Sequence, residues 1–380
     1  MSLSSSIKPE PFRIEPIFAP RIWGAKSLAP IYPEKSNLPE PIGEVWLTGM
    51  DCKVASGPFA GKTLGEAWRE MPPEWRGTRF AEPGDFPLLI KFIFPNDKLS
   101  IQVHPDDTYA AAHERAAGGR GKTEMWHVVQ AERGAHVLIG TKAGVSKQQV
   151  LDAIACNTLE NLLEKHLVYN GDTFFVRAGT PHTIGPGMIL CEVQEYSDLT
   201  YRVYDYGRTD AKGKPRELHI EKALDVMQFG KTAGGKTQPV SLFAGETGDK
   251  RDMHLGYGAK RTLLSACRYF GVERWEFYKR IFGFQWRASA FDILVVLSGE
   301  GQIGWGRTVR KRGDDVRDWG CSDFQAGQCW FVPALLNAAP TASLHATMLR
   351  AYVPEDLSAL RSTLKREHHS EAAISGTVFD

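Results

Sequence analysis

Residues 171–185 read GDTFFVRAGTPHTIG. A glycine opens a short run of β-branched and aromatic side chains, a second glycine closes it, and a histidine follows. Runs of four to eight such residues between turn formers are the pattern of a β-strand in a sandwich or barrel. Residues 327–338, GQCWFVPALLNA, read against the same stretch with Gly327 facing Gly171. Upstream, VVQAERGAHVLIG (128–140) reads against VVLSGEGQIGWG (295–306), pairing Val129 with Val296 and Gly134 with Gly301. The chain therefore carries an internal repeat. The separation from Gly134 to Gly171 exceeds that from Gly301 to Gly327, so the first copy holds an insertion. The helical pattern of residues 146–166, SKQQVLDAIACNTLENLLEKH, is its candidate.

Outward from this repeat, the strand pattern recurs in PLLIKFIF (87–94), KLSIQVH (98–104), EMWHVV (124–129), MILCEVQ (188–194) and DILVVLSG (292–299). Shorter helices are expected over 108–115 and 218–227. The reading is a mainly β chain of two similar barrel units joined by a glycine-rich linker near Gly230–Gly235, with a small helical insertion in the first. The expected division is 1–235, 236–355 and a tail, 356–380, whose short helix runs into a frayed end with a solvated His368–His369 pair. Its 380 residues exceed one ordinary domain, and 37 glycines and 22 prolines suit a fold with many turns.

With 46 basic against 45 acidic residues the net charge is +1, which argues against a nucleic-acid-wrapping or polybasic membrane-surface protein. No apolar run approaches the roughly 20 residues of a membrane-spanning helix, and no apolar segment of a secretory signal follows the N-terminus. Cys52, Cys156, Cys191, Cys267, Cys321 and Cys329 show no CxxC pair and read as free buried thiols in a reducing compartment, the cytoplasm. Residues 230–237, GKTAGGKT, match a phosphate-binding loop in letters only. That loop works between a strand and a following helix, whereas here a helical pattern precedes it.

The chemistry concentrates in the first unit. In LSIQVHPDD, strand alternation puts Ser100, Gln102 and His104 on one face and Ile101 and Val103 on the other. In GKTEMWHVV, Glu124 shares a face with Trp126 and Val128, and a carboxylate beside such bulk needs a partner, of which a metal is one. His127 lies on the opposite face and reads as structural or exposed. In 171–185, the spacing of Gly171, Arg177, Gly179 and His182 resembles the second signature of cupin barrels. Together with QVHPDD, GKTEMW and EVQEYSDLTYRVYDYGR, the set resembles the type I mannose-6-phosphate isomerases in their short two-cupin form, over residues 20–230 and more weakly through the second barrel.

The resemblance implies two cupin barrels and one zinc ion held by Gln102, His104, Glu124 and His182. It implies phosphate binding by Lys91 and Ser100, and an active-site set of Arg202, Glu192 and Lys122. The implied reaction is the interconversion of mannose 6-phosphate and fructose 6-phosphate through an enediol. The donor set is chemically apt: two imidazoles, an amide oxygen and one carboxylate leave a divalent ion with a net charge of +1, suited to oxygen-bearing substrates. Two departures stand out. Arg177 replaces the usual proline and adds a cation near the site mouth, and His127 stands where the family has tyrosine. Mapped through the repeat, Phe291 falls where Glu124 sits and Ala338 where His182 sits, so the second barrel lacks ligands. The expected partner is a small sugar phosphate, with no nucleic acid or membrane, for a monomer or homodimer. The alternatives are a cupin isomerase of another sugar phosphate, a non-catalytic sugar-binding cupin and a metal-dependent oxygenase.

Overall fold

The computed structural model describes residues 8–82, 84–209, 213–230, 234–242, 259–278, 290–311, 314–334, 336–342 and 345–380. Two seven-stranded antiparallel sheets form its centre. The first runs, in spatial order, Gly234–Lys236, Thr173–Val176, Glu124–Ala131, Met188–Glu195, Leu88–Ile93, Ile42–Trp46, Ile17–Ala25. The second runs Phe12–Ile14, Cys329–Val332, Asp292–Ser298, Ala346–Tyr352, Gly271–Phe277, Ala259–Ala266, Val240–Leu242. Each has a smaller companion. A five-stranded sheet orders Tyr201–Tyr204, Ile101–Val103, His182–Ile184, His136–Thr141 and Leu163–Leu167, and a three-stranded sheet orders Asn337–Ala342, Glu300–Lys311 and Asp314–Gln325.

Alternation along each strand explains the layering. In the first large sheet Phe92, Met125, Phe175 and Val193 point into one core, while Ile93, Trp126, Phe174 and Leu190 point into another shared with the five-stranded sheet. In the second, Ile293, Val295, Phe331 and Leu349 join that same first core, while Leu294, Val296, Trp330 and Met348 face the three-stranded sheet. The large sheets therefore pack against each other, and their central strands are buried on both faces. That is why LLIKFI is apolar nearly throughout instead of alternating.

The two large sheets match strand for strand, while the companion sheets have five strands and three, and the alignment shifts by one residue from the expected one. The Gly171 N–H donates to the Val128 carbonyl, and the Gly327 N–H donates to that of Val296. Val128, not Val129, is thus the counterpart of Val296. Glu124 pairs with Val176 and Asp292 with Val332, so the residue standing where Glu124 stands is Asp292, correcting the expected Phe291. The cause is a turn of unequal length, Ala131 to His136 in one copy and Ser298 to Glu300 in the other. Ala338, the counterpart expected for His182, lies on the strand Asn337–Ala342, which pairs with Glu300–Lys311 as His182–Ile184 pairs with His136–Thr141.

Other expectations shift for local reasons. The helix expected over 146–166 ends at Ala155. Its start is fixed by a reciprocal Ser146–Gln149 cap, and Asn157 at φ 57° turns the chain toward a 3-10 turn and the strand Leu163–Leu167. The two shorter helices are Asp107–His113 and Ile220–Val226. All six cysteines are free, but Cys156 and Cys321 are exposed. The phosphate-loop look-alike lies partly outside the described residues, and its Gly234–Lys236 portion is a strand. The C-terminal segment is not frayed: after the helices Leu357–Arg366 and Glu371–Ser375, Phe379 stacks on Phe175 with centroids 4.1 Å apart. His369 Nε2 donates to the Ser241 carbonyl, while His368 is exposed.

The core between the large sheets is rich in aromatic contacts. Phe291 stacks on Phe331 at 5.2 Å, meets Trp68 edge-on at 5.2 Å and lies tilted against Phe86 at 5.3 Å. Trp68 is presented by the helix Leu64–Glu70, whose Leu64, Ala67 and Trp68 form one buried face. Such a cavity collapses poorly, so Phe291→Ala should destabilise the protein by about 3–5 kcal/mol. Urea titration followed by tryptophan fluorescence measures this, and a loss below about 1 kcal/mol would contradict the described packing.

Candidate metal centre and active site

The ends of several strands converge between the first large sheet and its five-stranded companion. Gln102 pairs with His182 on one side and Arg202 on the other, and Gln194 pairs with Glu124 while Glu192 pairs with Trp126. His104 follows the strand Ile101–Val103. His104, Glu124 and His182 are buried, and their ligand atoms lie within 4.8 Å of one another. His182 Nε2 is 3.3 Å from Glu124 Oε1, and His104 Nε2 is 3.6 Å from Glu124 Oε2.

Both tautomers follow from the outer contacts. His104 Nδ1–H donates to the Leu199 carbonyl at 2.8 Å, and His182 Nδ1–H donates to that of Thr180 at 2.8 Å. A carbonyl can only accept, so each Nε2 carries its lone pair into the site. Burial pushes His182 down to about 4 and His104 well below the usual imidazole range, so both rings are neutral at pH 7. His104 Nε2 and both Glu124 oxygens are buried without a hydrogen-bond partner. Three lone-pair donors left unpaired around one point would be costly in an empty interior. They fit a divalent metal ion. The Gln102 amide lies beside them, its nitrogen 3.3 Å from His182 Nε2, and turning the amide over puts its oxygen there instead. Among the described residues no thiol joins the group.

Beside this trio the structure gathers the other expected residues. Lys122 is 4% exposed and its ammonium lies 3.1 Å from Glu124 Oε2. Burial alone would lower Lys122, but Glu124, Glu192 and Asp198 outweigh it and hold the ammonium protonated. Glu192 accepts from Trp126 Nε1 at 3.1 Å. Burial and the Glu124 charge push it up to about 7 against the pull of Lys122 and Lys91. Lys91 does not reach a wet rim. It is 2% exposed, with Asp198 at 3.3 Å, Glu44 and Glu192 each at 3.9 Å, and the Trp46 ring centroid at 4.9 Å. Ser100 is buried. Arg202 donates to the Glu217 carbonyl while its Nε has no partner, and burial followed by Arg216 lowers it.

Glu44 and Asp198 are members of this cluster that the sequence reading did not single out. Glu44 sits one strand from Lys91, where burial is outweighed by Lys91 and Arg21, leaving its carboxyl at about 2. Asp198 lies inside the quoted EVQEYSDLTYRVYDYGR, so a signal existed. Glu44 carried none beyond one charge in an alternating strand. His127 is a buried structural group paired with Thr173 Oγ1 at 3.1 Å and held down to about 3 by burial and Arg274. Arg177 is half-buried and near enough to the second copy for its charge to oppose slightly the burial that raises the Cys267 thiol.

The second copy resolves the same positions without lone pairs to spare. Glu273 pairs with Arg350 across neighbouring strands as Lys91 pairs with Glu192, with the charges reversed. Arg350 binds Asp292, the counterpart of Glu124, at 3.0 Å and Glu273 at 3.1 Å, and Arg261 binds Glu273 at 2.8 Å. A bidentate-capable guanidinium neutralises there the carboxylate whose counterpart in the first copy has a lysine ammonium beside one oxygen and an imidazole beside each.

Comparison with known proteins places the chain. The family described as phosphomannose isomerase type I, catalytic domain, matches residues 12–132. The chain is 34% identical to the mannose-6-phosphate isomerase of Streptococcus mutans over 315 residues, 81% of this chain and 92% of that one. The chain belongs to the type I phosphomannose isomerase family. Another relative, ManA of Bacillus subtilis, named a mannose-6-phosphate isomerase, is 33% identical over 81% of this chain and 92% of its own. The crystal structure of the mannose 6-phosphate isomerase from Bacillus subtilis matches with a TM-score of 0.75 at 28% identity, over 91% of this chain and 100% of the other. A protein from Archaeoglobus fulgidus shares the fold at a TM-score of 0.66 and 20% identity. The mainly β architecture with several sheets is thus that of the family.

Next to the site, Glu195 Oε1 accepts the Thr123 N–H at 2.7 Å, and burial with the Asp107 charge pushes its carboxyl up to about 8. A raised carboxyl gives its full stability below the unfolded value of about 4.5 and loses it as pH rises through about 8. Wild-type stability relative to Glu195→Gln should therefore fall between pH 5 and 8, with a slope of at most about 1.4 kcal/mol per pH unit. Urea melts of both proteins across that range measure it; a difference independent of pH would contradict the burial of this carboxyl.

Proposed function

We propose that this chain is a zinc-dependent aldose–ketose isomerase that interconverts mannose 6-phosphate and fructose 6-phosphate. The observation carrying the proposal is the buried trio His104, Glu124 and His182, whose ligand atoms lie within 4.8 Å of one another with both imidazole Nε2 lone pairs turned inward, enclosed with a protonated lysine and a near-neutral carboxyl. The nitrogen and oxygen donors, with no thiolate, suit a zinc site that keeps room for substrate. Gln102, His104, Glu124 and His182 would hold the ion, which when bound supplies Lewis acidity beside the sugar carbonyl.

The chain's own residues then divide the remaining work. Lys91 and Ser100 bind the phosphate of the substrate, an ammonium and a hydroxyl being apt donors to its oxygens. The reaction moves a proton between adjacent carbons through an enediol, and Glu192 is the group we assign to carry it. A carboxyl at about 7 can take up and return a proton near neutrality, whereas Lys122 is held protonated and makes a poor base. Lys122 instead donates to the developing charge on oxygen. Arg202, beside Gln102 on the neighbouring strand, adds a fixed cation for the same charge. Catalysis in this reading belongs to residues 1–235, and among the described residues 236–355 and 356–380 contribute no ligand. Free thiols and the absence, among the described residues, of any helix long and apolar enough to cross a membrane support a cytoplasmic setting.

Purified protein should convert mannose 6-phosphate to fructose 6-phosphate in a coupled assay, lose activity to a chelator and regain it with zinc. His182→Ala should lose both metal and turnover. Arg202→Ala should keep its metal while kcat falls by about 10²–10³. Zinc-loaded protein with no turnover of mannose 6-phosphate would sink the assignment.

A further inference from the structure

The second copy reaches the active-site segment of the first through a tight turn. Its strands Ala259–Ala266 and Gly271–Phe277 are joined by a tight turn, closed by a hydrogen bond from the Cys267 N–H to the Phe270 carbonyl. Phe270 is buried and lies 6.3 Å from Phe175 of the first large sheet, and Arg79 donates to the Arg268 carbonyl at 3.0 Å. At the tip, the Tyr269 hydroxyl donates to Asp107 Oδ2 at 2.7 Å, with the Arg268 guanidinium at 3.3 Å from the same oxygen.

Asp107 opens the helix Asp107–His113, three residues after the ligand His104. Its other oxygen, Oδ1, accepts the Gly121 N–H at 3.0 Å. Gly121 approaches so closely that a Cβ there would sit 2.6 Å from the Asp107 nitrogen. The following residues are pinned in turn: the Lys122 N–H donates to the Pro105 carbonyl at 3.1 Å, and the Thr123 N–H to Glu195 at 2.7 Å. Lys122 and Glu124, the ammonium and the carboxylate at the heart of the site, thus hang on a segment whose first amide is held by Asp107.

We propose that Tyr269 is a positioning residue for the reaction, fixing Asp107 and through it the Gly121–Glu124 segment that carries Lys122. This rests on the isomerase reading above. The second copy then has a role its loss of ligands does not reveal: it braces the active-site segment of the first. Because Phe270 and Arg79 hold the turn independently, removing the Tyr269 hydroxyl loosens Asp107 without unseating the turn. Small displacements of a group acting in the transition state cost rate more than ground-state binding.

The test is steady-state kinetics on Tyr269→Phe, with turnover expressed per bound zinc and the melting temperature measured alongside. The expected result is a kcat about tenfold lower, with KM within about twofold and zinc content unchanged. Asp107→Ala should show a comparable loss, and the double variant should be no slower than Asp107→Ala alone, since both act on one linkage. Wild-type turnover per bound zinc in Tyr269→Phe, or losses that multiply in the double variant, would overturn the inference while leaving the isomerase reading intact. An inactive, zinc-loaded wild type would instead overturn the isomerase reading, and this inference with it.

Discussion

The structure turns on one buried carboxylate. Glu124 is fully buried, and neither of its oxygens accepts a hydrogen bond. A charge in that condition is tolerated only where cations surround it. The Lys122 ammonium supplies one, and two imidazoles with inward lone pairs complete a cage for a metal ion. The neighbouring shifts follow from this choice. Glu192 rises through burial with the Glu124 carboxyl group beside it, and Lys122 stays protonated because Glu124, Glu192 and Asp198 outweigh its own burial. The site separates a carboxyl that can exchange a proton from an ammonium that cannot, both beside the place where a metal fits.

The repeat shows what happens when the same scaffold makes the opposite choice. Asp292 occupies the place of Glu124, but Arg350 reaches across and satisfies it, with Glu273 and Arg261 extending the network. Strand order, register and the packing of one large sheet on the other are kept. What differs is whether a protein cation fills the position. Buried charge compensated from within leaves no vacancy for a ligand, and buried charge left incomplete creates one.

Much of this was legible in the sequence because it is local. Alternation in LSIQVHPDD and GKTEMWHVV assigns the faces of Gln102, His104 and Glu124, and the glycine-bounded run at 171–185 places His182. What escaped the sequence depends on contacts between distant segments. Glu44 matters only because its strand lies beside that of Lys91. The strand Leu163–Leu167 continues a helical periodicity and is decided by pairing with His136–Thr141. Aligning the repeat on Gly134 and Gly301 puts the preceding strands one residue out of register, because a loop of different length interrupts it. The C-terminal segment reads as loose until Phe379 meets Phe175, a partner some two hundred residues away.

The central claim is that Gln102, His104, Glu124 and His182 form one metal site of nitrogen and oxygen donors. X-ray absorption at the zinc edge on the zinc-loaded protein tests it most directly. The account predicts one ion per chain, with only nitrogen and oxygen neighbours at about 2.0–2.2 Å and imidazole scattering from two histidines that disappears in part on His182→Ala. A sulfur neighbour at about 2.3 Å, or an unchanged spectrum in that variant, would contradict it.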